Sequence, residues 1–361
     1  MRKLRRMFRQ LKDPRASNAR HDLVEILVIA LAATLAGARA YTDFEFFALG
    51  REDLLRRFLA LKYGVPSHDT FTNVFRALDP QGLEAVLRKF SKGFGVKGVV
   101  SIDGKALRGA YERGRQAVPL HMVNVWAAEA RMCLAQRKAP GRNEAAGALE
   151  VLGLLDLEGC IVTADALHCH RDFASTVLER GADYVLALKE NQSKLFAAAA
   201  RHYARSGARS VAERREPATH DRCEWRRATV LRDTTFAAVQ KFPGVVALAR
   251  ITSRRRVLGA CAEPPQVRYF LLSKYIPAKQ LLRIVRSHWG IENQLHWVLD
   301  VVFNEDRNRT RKDNAPENLA ILRKLALNLV RSHPAATSLR QKIKRAGWDD
   351  AFLLGMLGHM R

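Results

Sequence analysis

The chain has 361 residues, of which 48% are apolar, so it is long enough for two or three domains with sizeable cores and is not a disordered tail. Lys and Arg exceed Asp and Glu by 25, which favours a polyanionic partner, with nucleic acid ahead of an anionic membrane surface. An arginine-rich proteome is the competing explanation of this charge. The cysteines form no C-x-x-C pair, which favours reduced thiols over a disulfide framework or a zinc ribbon: Cys133, Cys160, Cys169, Cys223 and Cys261.

One segment near the start resembles an export signal. Arg5 and Arg6 precede an apolar stretch from Leu23 to Leu35, and Ala38-Arg-Ala40 after it resembles a cleavage site. However, Glu25 interrupts the stretch, and its apolar positions also fit a buried amphipathic helix, which is the interpretation we favour. No other segment is apolar enough to span a bilayer. We therefore expect a cytoplasmic, nucleoid-associated protein with no membrane partner.

The N-terminal part of the chain has the apolar periodicity of helices. Residues 1–20 are basic and weakly patterned, and we expect a mobile arm there. Residues 21–95 are predicted to form an all-helical domain with a role in DNA binding or assembly. Its helices are predicted over Leu23–Leu35, Tyr41–Leu61 and Phe71–Phe90, with breaks at Gly37, at Gly64-Val-Pro66 and at Asp79-Pro80.

Residues 96–332 alternate strand and helix patterns, which predicts an α/β domain with a mixed sheet flanked by helices. The order β-β-β-α-β-α-β resembles the ribonuclease H fold. A basic, β-rich insertion is predicted over about 190–280, followed by helices to residue 332 and a short helical tail over 333–361. The strands are predicted at Val99–Ile102, Leu120–Ala127, Met132–Ala139, Cys160–Thr163 and Tyr184–Leu188, and the helices at Asn143–Leu155 and Arg171–Arg180.

Three acidic residues carry the candidate chemistry. Asp103 and Asp165 each end a short apolar run, and Glu292 lies in a helical pattern. Taken singly, Asp103 before Gly104 is typical of a turn, and Asp165 is typical of a helix cap. Together, two carboxylates at neighbouring strand ends repel each other and require a cation. The trio therefore suits a cage for two divalent metal ions acting at a phosphodiester.

The helix that carries Glu292 offers further functional candidates. His288 and His296 lie one turn before and one turn after Glu292, so a zinc site is the alternative to a carboxylate site. Trp289 and Trp297 flank the glutamate, where they either stack on an unpaired base or pack the helix onto the sheet. The cationic run from Arg307 to Lys312 either holds phosphates or is a solvated loop. The candidate DNA contacts are Lys105, His288, Trp289, His296, Arg307, Arg309, Arg311 and Lys312.

Several blocks together closely resemble bacterial insertion-sequence transposases, in the subgroup that includes the H-repeat-associated proteins. The resemblance covers roughly residues 20–332, with the blocks in the family order. It implies that Asp103, Asp165 and Glu292 are a DDE catalytic triad that binds two Mg²⁺ ions, for which Mn²⁺ can substitute. The blocks are Pro66-Ser-His-Asp-Thr-Phe71, Ser101-Ile-Asp-Gly-Lys105, Thr163-Ala-Asp-Ala166, Leu188-Lys-Glu-Asn-Gln192, His288-Trp-Gly-Ile-Glu-Asn-Gln-Leu-His-Trp297 and Phe303-Asn-Glu-Asp306.

The implied activity is cut-and-paste DNA transposition by two-metal-ion strand cleavage and strand transfer. The implied partners are the terminal inverted repeats of the element and the target DNA, bound by a homodimer on paired ends. Two alternatives remain open at this point. One is a metal-dependent nuclease on the same fold that cuts without joining, and the other is a non-catalytic DNA-binding descendant.

The sequence departs from the wider superfamily around the catalytic glutamate. The superfamily signature is Tyr-x2-Arg-x3-Glu-x6-Lys, and the corresponding positions here are Val285, His288, Glu292 and Leu299. Only the glutamate is retained. We expect the phosphate-clamping role of the arginine to pass to His288 or Arg286, and the resemblance does not extend to a hairpin-forming route of cleavage.

Overall fold

The computed structural model describes residues 2–111, 118–205, 207, 210–219, 222–232, 236, 241–257 and 264–358. Within these ranges Cys133, Cys160 and Cys169 are buried free thiols and Cys223 is an exposed one, whereas Cys261 lies outside them. Among the described helices, none is long and apolar enough to cross a membrane.

The N-terminal segment is helical from its first described residue. The mobile arm expected over residues 1–20 is wrong for its first part, because α1 places Leu4, Met7 and Phe8 in the core. Their spacing of three and four residues gives the helix one apolar face, which outweighs the surrounding basic residues. The helices are α1 (Arg2–Phe8), α2 (Leu23–Leu35), α3 (Tyr41–Gly50), α4 (Glu52–Arg56), α5 (His68–Ala77) and α6 (Pro80–Lys92).

The apolar stretch Leu23–Leu35 forms α2, which is buried at every residue. Glu25 is only 8% exposed, and its Oε1 accepts hydrogen bonds from the backbone N–H groups of Ala60 and Leu61, at 2.6 and 3.3 Å. These two donors compensate the carboxylate for burial. The interpretation of this stretch as a buried helix is therefore confirmed.

The N-terminal helices do not have a core of their own. They share one continuous core with helices from the end of the chain, and α12 packs against α2, α5, α6 and strand β3. Because α12 is buried along nearly its whole length, it forms the axis of this helical layer. The C-terminal helices are α10 (Ala278–His288), α11 (Trp297–Val301), α12 (Ala315–Ser332), α13 (Leu339–Trp348) and α14 (Asp350–Gly358), with a π-helical segment at Ile291–His296 between α10 and α11.

The described strands form one nine-stranded mixed sheet in the order β3-β2-β1-β4-β5-β9-β8-β7-β6. Strands β1, β4 and β5 are parallel, β2 pairs antiparallel with β1, and β3 pairs antiparallel with β2. The predicted mixed sheet is therefore confirmed. The strands are β1 (Val99–Tyr111), β2 (Pro119–Ala127), β3 (Met132–Lys138), β4 (Ile161–Ala164), β5 (Asp183–Leu188), β6 (Ser210–Thr219), β7 (Arg222–Arg232), β8 (Ala247–Val257) and β9 (Gln266–Leu272).

The β-rich insertion continues this sheet. Strand β9 pairs antiparallel with β5, and β8, β7 and β6 follow it outward. Helices α7 (Glu144–Gly153), α8 (Arg171–Glu179) and α9 (Ser193–Arg205) cover one face of the sheet, and α10 covers part of the other. The face under α10 is the one that carries the candidate site.

Candidate active site

Strand register brings the two predicted aspartates together. The parallel pairing of β1 with β4 ends at Ile102 opposite Ala164, so Asp103 is the next residue of β1 and Asp165 is the first residue after β4. Side chains alternate along a strand, and both carboxylates therefore point to the face under α10. The expectation that Asp103 ends its strand is wrong, because β2 continues to pair with β1 as far as Tyr111 after β4 has ended.

Glu292 reaches this face from the π-helical segment that follows α10. His288 and His296 lie on either side of it, and each approaches one aspartate. His288 Nε2 is 3.6 Å from Asp165 Oδ1, and His296 Nδ1 is 3.6 Å from Asp103 Oδ2. Glu292 therefore lies between two histidines along the chain, and each histidine is close to one of the two aspartates.

Hydrogen bonds fix both histidine rings. The Thr163 hydroxyl lies 3.0 Å from His288 Nδ1 and also 3.0 Å from the Ser101 hydroxyl. On the other side, Asn124 Nδ2 lies 3.3 Å from His296 Nε2, and Asn124 sits directly opposite Asp103 in the β1–β2 pair. These polar side chains are buried in the sheet, so the positions of the histidines are set by rigid elements rather than by loops.

The two aspartates have opposite electrostatic surroundings. Burial, together with the charges of Asp165, Glu144 and Glu292, raises the pKa of Asp103 from 3.8 to about 8. By contrast, the interaction with His288 holds the pKa of Asp165 below its ordinary value, and Lys189 adds to this effect. Asp103 is therefore the point where negative charge is most crowded, and a bound cation would relieve that crowding.

His296 is neutral in this arrangement. Burial lowers its pKa to about 3, and the positive charges of Lys105 and Lys324 add to the shift. A neutral imidazole does not compensate negative charge on Asp103, so His296 does not replace a cation beside these carboxylates.

Sequence reasoning missed a fourth carboxylate, Glu144, in the first turn of α7. Its two oxygens lie 2.8 Å from His121 Nε2 and 3.1 Å from the buried His168 Nε2. Burial opposes ionisation, but these two hydrogen bonds hold the pKa of Glu144 below its ordinary value. A Cβ on Gly104 would lie 2.3 Å from the Glu144 carboxyl carbon, so the glycine is what lets the carboxylate approach β1 beside Asp103. No local pattern predicts this contact, because its partners come from three separate elements.

Lys105, predicted as a DNA contact, is instead part of a buried ion cluster. Its side chain is 7% exposed, and its Nζ lies 2.7 Å from Asp300 and 3.1 Å from Asp306. Its charge therefore compensates carboxylates inside the protein, and we propose no phosphate contact for Lys105.

The other predicted DNA contacts lie at the surface to different extents. Trp289 and Trp297 are 37% and 58% exposed, so packing onto the sheet does not account for Trp297. In the cationic run, Arg307, Arg309 and Lys312 are exposed, whereas Arg311 is half-buried and its Nε donates to the carbonyl of Gly109 at 3.0 Å.

A small cavity of about 80 Å³ joins the acidic residues. Asp165, Glu292, His288, Lys189 and Trp289 are among the residues that line it. It brings two of the predicted catalytic carboxylates and one exposed lysine to the same space, and the charge of Glu292 also acts on Asp103. Two members of the predicted trio, Asp165 and Glu292, therefore line this cavity, and Asp103 lies outside its lining.

The donors at this site have the chemistry that Mg²⁺ and Mn²⁺ prefer, namely carboxylate oxygens. Burial, together with the charges of three neighbouring carboxylates, raises the pKa of Asp103, and a cation at this position would offset both effects. Within the described residues, no group of three His, Cys, Asp or Glu side chains is already arranged as a metal cage. The residues fit hard divalent ions by charge and ligand type.

Comparison with known proteins finds two matching family patterns and several similar sequences. The sequence pattern described as "Transposase DDE domain" matches residues 94–329, and the pattern described as "DDE_Tnp_1-associated" matches residues 5–91. The chain is 32% identical over 322 residues to YncI of Escherichia coli O157:H7, a candidate transposase, covering 86% of this chain and 83% of that protein. It is 29% identical over 357 residues to YhhI of Escherichia coli strain K12, an H-repeat-associated candidate transposase, covering 93% of this chain and 92% of that protein.

One solved structure also matches over much of the chain. It is a cryo-EM structure of the piggyBac transposase synaptic complex with hairpin DNA, at a TM-score of 0.48 and 13% identity, covering 98% of this chain and 81% of that one.

Proposed function

This chain belongs to the transposase family defined by the DDE domain, and from that premise we propose that it catalyses cut-and-paste transposition of an insertion sequence. The observation that carries the proposal is the convergence of Asp103, Asp165 and Glu292, three residues far apart in sequence, on one face of the sheet. The raised pKa of Asp103 supports the same proposal, because burial and three neighbouring carboxylates disfavour its ionised form unless a cation is bound.

Asp103, Asp165 and Glu292 are the residues that would hold two Mg²⁺ or Mn²⁺ ions. When bound, such ions supply activation of the attacking oxygen and stabilisation of the leaving oxygen at the phosphodiester. Around them, His288 keeps Asp165 ionised, and Ser101 and Thr163 orient His288.

Three further groups act around these carboxylates. His296 stays neutral and is held by Asn124 beside Asp103, where it limits the directions that the carboxylate can take. Glu144 adds negative charge next to Asp103 from the other side of β1, which strengthens the preference for cations at the site. Lys189 is exposed at the end of β5 and lines the cavity with Asp165, where it is placed to neutralise a DNA phosphate.

The proposed reaction has two stages that share one site. Water attacks the phosphodiester at the end of the element and frees a 3′-hydroxyl. That hydroxyl then attacks a phosphodiester of the target DNA, which joins the element to the target and releases a 3′-hydroxyl of the target strand. The substrates are therefore the terminal inverted repeats of the element and a target duplex. Because two ends must be cut and joined together, we propose a homodimer on paired ends as the active form.

The test is cleavage of a linear DNA that carries the terminal repeats of the element, with Mg²⁺ or Mn²⁺. The wild type should nick at the repeat boundary only when metal is present. Glu292→Gln keeps the size of the side chain but removes its charge, and it should abolish nicking, whereas Glu150→Gln on the exposed face of α7 should not. Tight binding to the repeats without nicking in either metal would contradict the enzymatic proposal.

A further inference from the structure

A row of arginines lies on the same sheet face as the active site, beyond the end of α10. In the strand register Arg214 on β6 is directly opposite Arg226 on β7, which is opposite Ser253 on β8. Arg255 lies two residues after Ser253 on β8, so its side chain points to the same face. Ile251 lies two residues before Ser253 and therefore also faces this side, and Arg268 on β9 is directly opposite it. We call this set, with Arg283 and Arg286 of α10, the arginine face.

The arginine face lines a groove of about 830 Å³. Its lining contains these six arginines against two glutamates, Glu224 and Glu292. One of the acids is already used, because Glu224 lies 2.7 Å from Arg226.

The groove leads directly to the active site. It shares Arg268, Trp289 and Glu292 with the small cavity that contains Asp165. The Arg268 guanidinium lies over the Trp289 ring, 5.6 Å from its centroid, and the ring is 37% exposed. An aromatic ring and a guanidinium therefore stand where the arginine-lined groove meets the candidate catalytic glutamate.

We infer that the arginine face binds a single strand of DNA as it leaves the active site, with its phosphates on the arginines and a base against Trp289. The inference rests on the proposed function for the source of that strand, which is the DNA opened at the end of the element. The chemistry of recognition does not depend on it, because phosphates and unpaired bases are bound by arginine and aromatic side chains in any sequence.

The junction at Trp289 distinguishes a single strand from a duplex. Bases in a duplex are already stacked on their neighbours, so a ring at the junction offers a stacking surface only to an unpaired base. An apolar strip of the same sheet face, including Ala228, Ile251 and Phe270, packs with α10. The arginines of the strands begin where this packing ends. They continue outward from the active site, where they can contact the sugar-phosphate backbone of one DNA strand.

Matched pairs of variants test the inference, because adjacent arginines point to opposite faces of the sheet. Arg214→Ala with Arg255→Ala removes two charges from the groove. Arg215→Ala with Arg254→Ala removes the same number of charges from the other face, where Arg254 lies over Trp225. Both double variants change the net charge equally, so a general electrostatic effect would be identical in the two.

The measurement is fluorescence anisotropy of a short labelled oligothymidylate with the full chain in EDTA, repeated over a range of salt concentrations. We expect the groove pair to weaken binding by about tenfold and to lower the salt slope by about 1.4, while the opposite pair stays close to wild type. A duplex of the same length should be affected less than the single strand. Circular dichroism melting of both variants checks that each is folded.

Equal losses in the two pairs, or no loss in either, would overturn the inference. So would a loss confined to the duplex. Because EDTA prevents cleavage, the result is independent of the activity test for the proposed function. A wild type that binds the oligonucleotide through the groove but never nicks the terminal repeats would retain the binding site and remove the transposition proposal.

Discussion

Replacing Asp103 by asparagine removes a carboxyl whose pKa is raised from 3.8 to about 8 by burial and by three neighbouring carboxylates. In the metal-free protein the folded state holds a proton at Asp103 between these two pKa values, whereas the unfolded state has released it. The free energy of unfolding therefore falls as pH rises through this window and levels off above the folded pKa. Asp103→Asn removes this contribution.

The size of the effect follows from the pKa shift. Each pKa unit corresponds to about 1.4 kcal/mol, so the interval from pH 5 to pH 8 can remove about 4 kcal/mol from the wild type. The Asp103 side chain is 20% exposed, and solvent screening reduces the effect. Relative to the wild type, the free energy of unfolding of Asp103→Asn should therefore increase by about 2–4 kcal/mol from pH 5 to pH 8.

Guanidinium unfolding in EDTA at several pH values measures this difference. Asp156→Asn, at an exposed position, is the control and should follow the wild type at every pH. Saturating Mg²⁺ should stabilise the wild type at pH 8 more than it stabilises Asp103→Asn, because only the wild type retains the full set of carboxylates. A stability difference between variant and wild type that is the same at pH 5 and pH 8 would refute the account of crowded charge.

Three further results are expected. The Mn²⁺ affinity of the wild type, measured by calorimetry, should rise with pH up to about 8, because metal binding must displace the proton from Asp103. The rise should be about tenfold per pH unit for the loss of this one proton, and an affinity that does not change with pH would contradict this. Glu144→Gln should lower that affinity by about tenfold, whereas Glu150→Gln on the same helix should leave it unchanged. Phe8→Ala should destabilise the fold by about 3–5 kcal/mol because Phe8 is fully buried, and Arg9→Ala should be neutral if α1 is packed as described.

The predicted sheet came from local signals. Short apolar runs that end in Asp103 and Asp165 are strand patterns, and parallel strands at the centre of a mixed sheet bring their ends together. The helical pattern around Glu292 also placed His288 and His296 on its two sides. These features depend on neighbouring residues, and this is why the sequence was sufficient to predict them.

The features that sequence reasoning missed depend on contacts between distant segments. Glu144 approaches Asp103 only because Gly104 leaves space and because two histidines from other elements hold it. Lys105 looked like a free cation, but Asp300 and Asp306 lie close to it in the fold. Sequence spacing cannot reveal such pairs, since the partners are nearly two hundred residues away.

The basic N-terminus shows a different limit. Charge density suggested a mobile arm, but three apolar residues at helical spacing are enough to anchor α1 in the core. Likewise, the β-like runs of the insertion predicted its strands, whereas their attachment to the central sheet through the pairing of β9 with β5 was not predicted. Whether a segment is independent is decided by packing, which composition alone does not report.

The most direct test of the central claim is strand transfer from a pre-cut end. A terminal repeat with an exposed 3′-hydroxyl is incubated with a supercoiled target plasmid, Mg²⁺ and either the wild type or Asp165→Asn. The account predicts covalent joining of the repeat to the plasmid by the wild type and none by Asp165→Asn, which retains the shape of the side chain but loses its charge. Nicking of the plasmid without joining would identify a nuclease and contradict the transposition proposal, and joining by Asp165→Asn would contradict the assignment of the site.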